Sequence, residues 1–107
     1  MLIDIGVNLS HKRFAHDTRE VLKYARENGV HKLILTGASV IESNRVIDLL
    51  DKYSSEFPRM LYGTVGIHPH SASEFSNASL IDLRSLSAHS SVVAIGETGL
   101  DFYRNIV

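Results

Sequence analysis

Val92-Val93-Ala94-Ile95 is a short apolar run, and Gly96-Glu97 follows it directly. The length of the run and its β-branched residues predict a strand that ends abruptly in the Glu97 carboxylate. Three earlier runs have the same character: Leu2 to Val7, Lys32 to Thr36 and Leu61 to Ile67. Because these runs show little polar alternation, we expect strands that are buried on both faces.

Helical patterns lie between the four predicted strands. They extend over Asp17 to Asn28, Val40 to Ser55 and Leu80 to Ala88. The order β-α-β-α-β-α-β predicts a parallel sheet with crossover helices, since parallel neighbours need a connection that returns to the other end of the sheet. In such α/β folds the functional groups lie at the carboxyl ends of the strands.

Start and stop signals support these helices. Three pairs have the spacing in which one side chain caps the helix amides and the later one reaches back. These pairs are Asp17 with Glu20, Ser39 with Glu42 and, more weakly, Ser79 with Asp82. Asn28-Gly29 predicts a left-handed end for the first helix. The polar stretch from Ser71 to Ser79 predicts a single loop.

The composition excludes several kinds of site and partner. Eleven basic and twelve acidic residues give a net charge of −1, so no strong overall field attracts nucleic acid or an anionic membrane. The chain has no cysteine, which rules out disulfides, thiolate metal ligands and a cysteine nucleophile. No apolar run approaches the roughly 20 residues of a membrane-spanning helix, and we expect a cytoplasmic location.

The third predicted strand leads into Gly66-Ile67-His68-Pro69-His70. Pro69 disfavours a helical conformation at His68 and so holds this imidazole in an extended segment at the strand end. Adjacent parallel strands lie about 4.8 Å apart, so His68 and Glu97 are expected to share one divalent metal ion. The alternative is an ion pair of Glu97 with His68 or with Arg104.

The first predicted strand carries a further set of candidate polar groups. Strand alternation places three small or polar residues on one face, and these are Asp4, Gly6 and Asn8. The other face would carry Ile3, Ile5 and Val7. The first face suits a site, although Asp4 and Asn8 also suit hydrogen bonds to loop amides. The remaining histidines are expected to be ordinary surface residues: His11, His16, His31 and His89.

Three segments together resemble the opening signatures of the TatD-like metal-dependent deoxyribonuclease family. They are Asp4-Ile5-Gly6-Val7-Asn8-Leu9, Gly66-Ile67-His68-Pro69-His70 and Ala94-Ile95-Gly96-Glu97-Thr98-Gly99-Leu100-Asp101. Their order and spacing match together, which is more specific than any one segment. The resemblance extends from Asp4 to about Asn105. It implies that residues 1–107 form one partial domain, the first four strands of a TIM-like (β/α)8 metal-dependent hydrolase barrel.

The resemblance implies hydrolysis of phosphodiester bonds that depends on a divalent metal, most simply Mg²⁺, with DNA as the substrate of the complete enzyme. By the match, Glu97 is a metal-coordinating carboxylate and His68 is a catalytic histidine near the substrate. Five residues are expected to bind substrate or to support the site: Asp4, Asn8, His70, Asp101 and Arg104. Many relatives carry histidines where this chain has Gly6 and Asn8, so the match is to the TatD subgroup rather than to relatives with a full two-metal site.

The family draws two further histidine ligands and a catalytic aspartate from strands beyond the fourth. We therefore expect weak or undetectable nuclease activity from the 107-residue chain, and self-association through two open sheet edges. A non-catalytic fragment or partner-binding module is the alternative of a different class. A deaminase or lactonase would share the barrel and much of the metal chemistry. A Rossmann-like domain is disfavoured because no Gly-x-Gly-x-x-Gly run follows the first strand.

Overall fold

Strands and helices alternate along the chain as the apolar periodicity predicts. The computed structural model describes residues 2–8 and 17–102. Its elements are β1 (Leu2–Val7), α1 (Thr18–Glu27), β2 (Val30–Thr36), α2 (Val40–Tyr53), β3 (Leu61–Val65), a 3₁₀ helix (Pro69–Glu74), α3 (Asn77–Leu86) and β4 (Val92–Ile95). None of the helices within the described ranges is both long and apolar enough to cross a membrane.

The four strands form one parallel sheet in the order β1-β2-β3-β4. Each strand lies beside the next strand in the sequence, and the strands are parallel because each crossover helix returns the chain to the same end of the sheet. This arrangement confirms the predicted fold class. It also brings the carboxyl ends of β3 and β4 next to each other, which sets the position of the candidate site.

The main core lies between one face of the sheet and the helices. Leu33 and Leu35 of β2 pack with Leu22 of α1 and with Val46 and Leu50 of α2, and all five are buried. Leu33 and Leu35 alternate with residues on the other face of β2, and Val46 and Leu50 lie one helical turn apart on one side of α2, so each element contributes a single apolar stripe. A second cluster joins β3 to α3 and consists of Val65, Ile67 and Leu83.

The strands are less buried than their apolar sequences predict. Ile34 and Tyr62 lie on the face opposite to the main core and are partly buried. Ile3 and Ile5 of β1 and Val93 of β4 are more than half exposed. The expectation of burial on both faces is wrong for the described residues, because the helices among them cover one face. Self-association through the edge strands β1 and β4 stays a prediction, which light scattering would test.

The helix ends agree with the sequence signals in part. The Ser39 hydroxyl accepts a hydrogen bond from the Glu42 N–H at 3.1 Å, and the Glu42 carboxylate reaches back to the Ala38 N–H at 3.2 Å. Gly29 has the expected left-handed conformation, with φ of 87°. Asp17 stands at the amino end of α1, but its side chain makes no capping hydrogen bond within the described residues.

The start of α3 differs from the sequence prediction. The capping residue is Ser76, and Ser79 is its reciprocal partner inside the helix, so that each side chain accepts from the backbone N–H of the other. Ser79 therefore does not cap a helix that begins at Leu80. The stretch from Ser71 to Ser79 is also not a single loop, since it contains most of the 3₁₀ helix and the first turn of α3. A run of serines offers several equivalent caps, and the sequence alone does not choose among them.

Candidate active site

The chain continues the strand pairing of β3 and β4 beyond the ends of both strands. The Gly96 N–H donates to the Val65 carbonyl at 3.0 Å, and the Ile67 N–H donates to the Glu97 carbonyl at 2.9 Å. These two bonds hold the loops after β3 and β4 side by side. The side chains that follow, His68 and Glu97, therefore lie at the same edge of the sheet.

Gly66 permits this close approach of the two loops. A Cβ atom at position 66 would lie 2.4 Å from the Glu97 carbonyl oxygen and 2.5 Å from the carbonyl carbon of Gly96, so a side chain would push the loops apart. Ser43 of α2 supports Gly66 from the other side. It is fully buried, and its hydroxyl accepts a hydrogen bond from the Gly66 N–H at 3.1 Å.

His68 and Glu97 form the first imidazole–carboxylate pair of the site. Nε2 of His68 lies 3.6 Å from Oε1 of Glu97, and the side chains are 31% and 48% exposed. The expected proximity of the two groups is thus present. His68 has φ of −59° and ψ of 144°, the extended conformation that Pro69 was expected to impose. The His68 N–H donates to the Ala38 carbonyl at 2.8 Å, which ties this residue to the segment before α2.

His70 and Asp101 form a second pair next to the first. Nε2 of His70 lies 2.9 Å from Oδ2 of Asp101, whose side chain is 16% exposed. The rings of His68 and His70 meet edge to face, with centroids 4.4 Å apart. The second pair links the turn after β3 to the loop after β4, so it supports the positions of His68 and Glu97 relative to each other.

Asp4 and Asn8 come from the far edge of the sheet. Gly6 has φ of 81°, and the register moves from Ile5 opposite Ile34 to Val7 opposite Leu35, so Gly6 is skipped. This irregularity places Val7 on the core face with Leu35, where Val7 packs against the main cluster. The expected alternation is therefore wrong after Ile5, because an extra residue reverses the faces that follow.

Asp4 shares its face with Val7, since it lies opposite Leu33, a residue of the main core. It lies within β1, two strands away from β3, and the structure does not group it with His68 and Glu97 into a potential metal site. Asn8 follows the carboxyl end of β1 and has an interaction partner. Arg104 lies outside the described residues, and so do two of the other histidines, His11 and His16.

His31 and His89 were expected to be surface residues. His31 is exposed. His89 differs, because its side chain is 22% exposed and its Nε2 lies 2.8 Å from Oδ1 of Asp51 on α2. Its Nδ1 accepts from the Ser91 N–H at 3.0 Å. His89 therefore joins α2 to the start of β4, a structural role that nothing in its sequence neighbourhood signalled.

The metal-binding capacity of the described residues is limited to a pair of side chains. Two ligand atoms of one Mg²⁺ or Zn²⁺ ion lie roughly 3 to 3.5 Å apart, given metal–ligand distances near 2.1 Å. The separation of 3.6 Å between His68 and Glu97 is close to that range. Within residues 2–8 and 17–102, however, no three His, Asp or Glu side chains are grouped as a metal site. Of these two side chains, Glu97 is the better candidate for a metal ligand. No Lys or Arg in these ranges forms an ion pair with its carboxylate.

A cleft of about 290 Å³ lies beside this loop. Its lining is largely apolar and comprises Ile67, Phe75, Leu83, Ile95 and Leu100, together with the Glu97 to Gly99 segment. An apolar cleft suits a packed side chain or a base rather than a phosphate group. The polar chemistry of this region therefore belongs to the two imidazole–carboxylate pairs.

Solved structures with the same arrangement define the class of protein. A TatD-family hydrolase from Entamoeba histolytica matches 96% of this chain with a TM-score of 0.85 and 32% identity, and the match covers 38% of that chain. A TatD homologue from Escherichia coli matches 94% with a TM-score of 0.76 and 29% identity, again over 38% of its length. The described strands are thus part of the TIM-barrel type of α/β hydrolase.

Comparison of the amino-acid sequence with known families identifies the family. The model of the TatD related DNase family matches residues 3–106, and the chain belongs to this family. Relatives named 3′-5′ ssDNA/RNA exonuclease TatD include those of Erwinia tasmaniensis, 43% identical over 97% of this chain, and Pantoea vagans, 43% identical over 98%. The chain spans 39% of the length of both relatives. The family resemblance of the three sequence segments is thereby confirmed.

Proposed function

We propose that this chain contributes to the metal-dependent hydrolysis of phosphodiester bonds in DNA, as a deoxyribonuclease that removes nucleotides from strand ends. The observation that carries the proposal is the separation of 3.6 Å between His68 Nε2 and Glu97 Oε1 at the carboxyl ends of adjacent strands. The relatives named as single-stranded DNA and RNA exonucleases favour a nucleic-acid substrate.

Glu97 is the residue that we propose holds the metal ion. Its carboxylate is about half exposed at the end of an apolar strand, where an uncompensated charge favours a cation. A divalent ion, most simply Mg²⁺, would supply Lewis acidity at a phosphoryl oxygen. His68 lies beside Glu97 and would contact the substrate as the catalytic histidine. His70 and Asp101 would keep the turn that carries His68 against the loop that carries Glu97.

Three further residues are proposed to bind substrate or to support the site. Asn8 lies at the carboxyl edge of the sheet, which suits contact with an extended strand of DNA. Asp4 lies within β1 on the face that also carries Val7, two strands away from β3, so a supporting role suits it better than direct contact. Arg104, which follows Asp101 closely in the sequence, would contribute a positive charge to substrate binding. The cytoplasmic location stays a prediction.

A non-catalytic role of the 107-residue chain is the second candidate. The observation in its favour is that no three His, Asp or Glu side chains within the described residues are placed to hold one metal ion. Mg²⁺ prefers near-octahedral coordination and keeps several waters, so the one or two protein ligands available at this site bind it weakly. We therefore expect weak or undetectable turnover from this chain alone, with binding of metal and nucleic acid as its measurable properties.

The test compares Glu97→Gln with the matched control Glu27→Gln, an exposed glutamate on α1. Mn²⁺ affinity is measured by electron paramagnetic resonance, and release of nucleotides from single-stranded DNA is measured with Mg²⁺ or with EDTA. Loss of the Glu97 carboxylate should weaken Mn²⁺ binding by about tenfold or more and should remove any metal-dependent turnover. Equal Mn²⁺ affinity in Glu97→Gln and in the unmodified chain would contradict the proposal.

A further inference from the structure

Two histidines of this chain, His68 and His89, share one local arrangement. In each ring, Nδ1 accepts a hydrogen bond from the backbone N–H two residues later, at 3.0 Å in both cases. Two nitrogen atoms at this distance have room for one hydrogen between them, and the amide always carries it. Nδ1 is therefore unprotonated in both residues, and the proton of the neutral ring lies on Nε2.

The two residues differ in what Nε2 meets. Nε2 of His89 lies 2.8 Å from Asp51 Oδ1, a good hydrogen bond. Nε2 of His68 lies 3.6 Å from Glu97 Oε1, which is too long for one. Within the described ranges His68 Nε2 has no other hydrogen-bond acceptor, and the side chain is about one-third exposed. The Nε2–H group of the His68 ring is thus available to donate to a ligand that enters the site.

The surrounding contacts prevent a flip of the His68 ring, which would exchange the positions of Nδ1 and Nε2. A flip of the ring would take the acceptor away from the His70 N–H, which is costly once that amide has no partner. The turn itself is held by Pro69, by the bond from the His68 N–H to the Ala38 carbonyl, and by the pair of His70 with Asp101. Each of these contacts fixes the turn, so the same nitrogen faces Glu97.

We propose that the His68-Pro69-His70 turn fixes His68 as the Nε2–H tautomer, so that His68 donates a hydrogen bond to a phosphoryl oxygen of the substrate and does not ligate the metal. Neither ring nitrogen then offers a free lone pair, because one accepts from the His70 amide and the other carries the proton. Glu97 then binds the metal cation, and His68 binds the phosphate group of the substrate. The phosphoryl oxygen as acceptor rests on the function proposed above, whereas the tautomer does not.

The direct test is nuclear magnetic resonance of the ¹⁵N-histidine-labelled 107-residue chain. Long-range ¹H–¹⁵N correlations should show His68 Nδ1 with the shift of an unprotonated nitrogen and Nε2 with that of a protonated one. Addition of Mg²⁺ should leave this pattern unchanged. Addition of inorganic phosphate with Mg²⁺ should then shift Nε2 of His68 but not the nitrogens of the exposed His31. An Nδ1–H tautomer, or a ligation shift of either His68 nitrogen with Mg²⁺, would overturn the proposal. So would the absence of a phosphate effect on Nε2.

Paired variants separate the donor from the acceptor of the ring. His68→Gln keeps a donor near the position of Nε2, and His68→Asn keeps an acceptor near the position of Nδ1. Phosphate affinity should fall about tenfold in His68→Asn, as for the loss of one hydrogen bond, and less than about threefold in His68→Gln. The surface control His31→Gln should be unchanged. Equal losses in the two His68 variants would count against a donor role.

The two proposals fail in different ways. If Glu97→Gln binds Mn²⁺ like the unmodified chain while His68 keeps the Nε2–H tautomer, the metal site is wrong and the assignment of the tautomer stands. If Glu97→Gln loses Mn²⁺ but His68 shows a Mg²⁺-induced ligation shift, the metal site stands and the donor role is wrong.

Discussion

An imidazole–carboxylate pair lies at each end of the sheet, and the two pairs differ in the distance between their groups. Near the amino end of β4, His89 and Asp51 are in hydrogen-bond contact at 2.8 Å and join a loop to α2. At the carboxyl end, His68 and Glu97 lie 3.6 Å apart and both remain accessible. A closed pair satisfies its own groups and stabilises the fold, whereas an open pair leaves a donor and a carboxylate for a ligand. Under the proposed function, the distance between the two groups, and not the residue types, distinguishes the pair that supports the fold from the pair that binds a ligand.

The open pair depends on a rigid support beneath it. Gly66 is enclosed by the backbone of Gly96 and Glu97 on one side and by the buried Ser43 hydroxyl on the other. The backbone hydrogen bonds from the Gly96 N–H to the Val65 carbonyl and from the Ile67 N–H to the Glu97 carbonyl help to set the separation of His68 and Glu97. Changes beneath the pair should therefore affect stability and site together, while changes to the pair itself should affect binding.

Gly66→Ala should have the largest effect of the substitutions considered. The new Cβ would meet the Glu97 carbonyl oxygen at 2.4 Å, and backbone atoms cannot move aside as a flexible side chain can. We expect a loss of about 3 kcal/mol in the free energy of unfolding, measured by urea denaturation, together with weaker Mn²⁺ binding. Gly96→Ala is the matched control, because a Cβ there meets nothing within 4 Å. A Gly66→Ala chain as stable as the control would show that the loops are not closely packed.

The sequence predicted the parts of this architecture that arise from periodicity. The bounds of β1 and β4 agree with their apolar runs, and the neighbouring strand ends correctly placed His68 beside Glu97. Regular alternation of strands and helices leaves few ways to order a parallel sheet. Side chains at the carboxyl ends of two consecutive strands then meet without any knowledge of the packing between them.

The sequence did not predict features that depend on contacts between distant residues. The reversal of faces after Gly6 is a register effect between β1 and β2, and a strand pattern read by itself cannot show it. Gly66 could have been suspected, since a glycine at a strand end often marks a close approach of backbone. Ser43 gave no signal at all, because a serine within a helix is most simply a surface residue.

His89→Asn should lower stability by a smaller amount than Gly66→Ala. Asparagine keeps an acceptor for the Ser91 N–H and removes the Nε2 contact with Asp51. We expect a loss of about 1 kcal/mol in the free energy of unfolding, the value of one partly exposed hydrogen bond, with no change in Mn²⁺ affinity. A double-mutant cycle with Asp51→Asn should assign most of that loss to the pair. Additive effects of the two substitutions would show that the closed pair contributes nothing.

His68→Asn is the same substitution at the open end and should have the smallest effect on stability. Asparagine again keeps an acceptor for the amide two residues later, and no hydrogen bond of Nε2 within the described residues is lost. We expect a change below about 0.5 kcal/mol in the free energy of unfolding, as for a surface residue, measured by urea denaturation beside His89→Asn. A loss equal to that of His89→Asn would mean that His68 and Glu97 close on each other in solution. In that case Nε2 would already be satisfied by Glu97, and the distinction between a structural and a functional pair would fail.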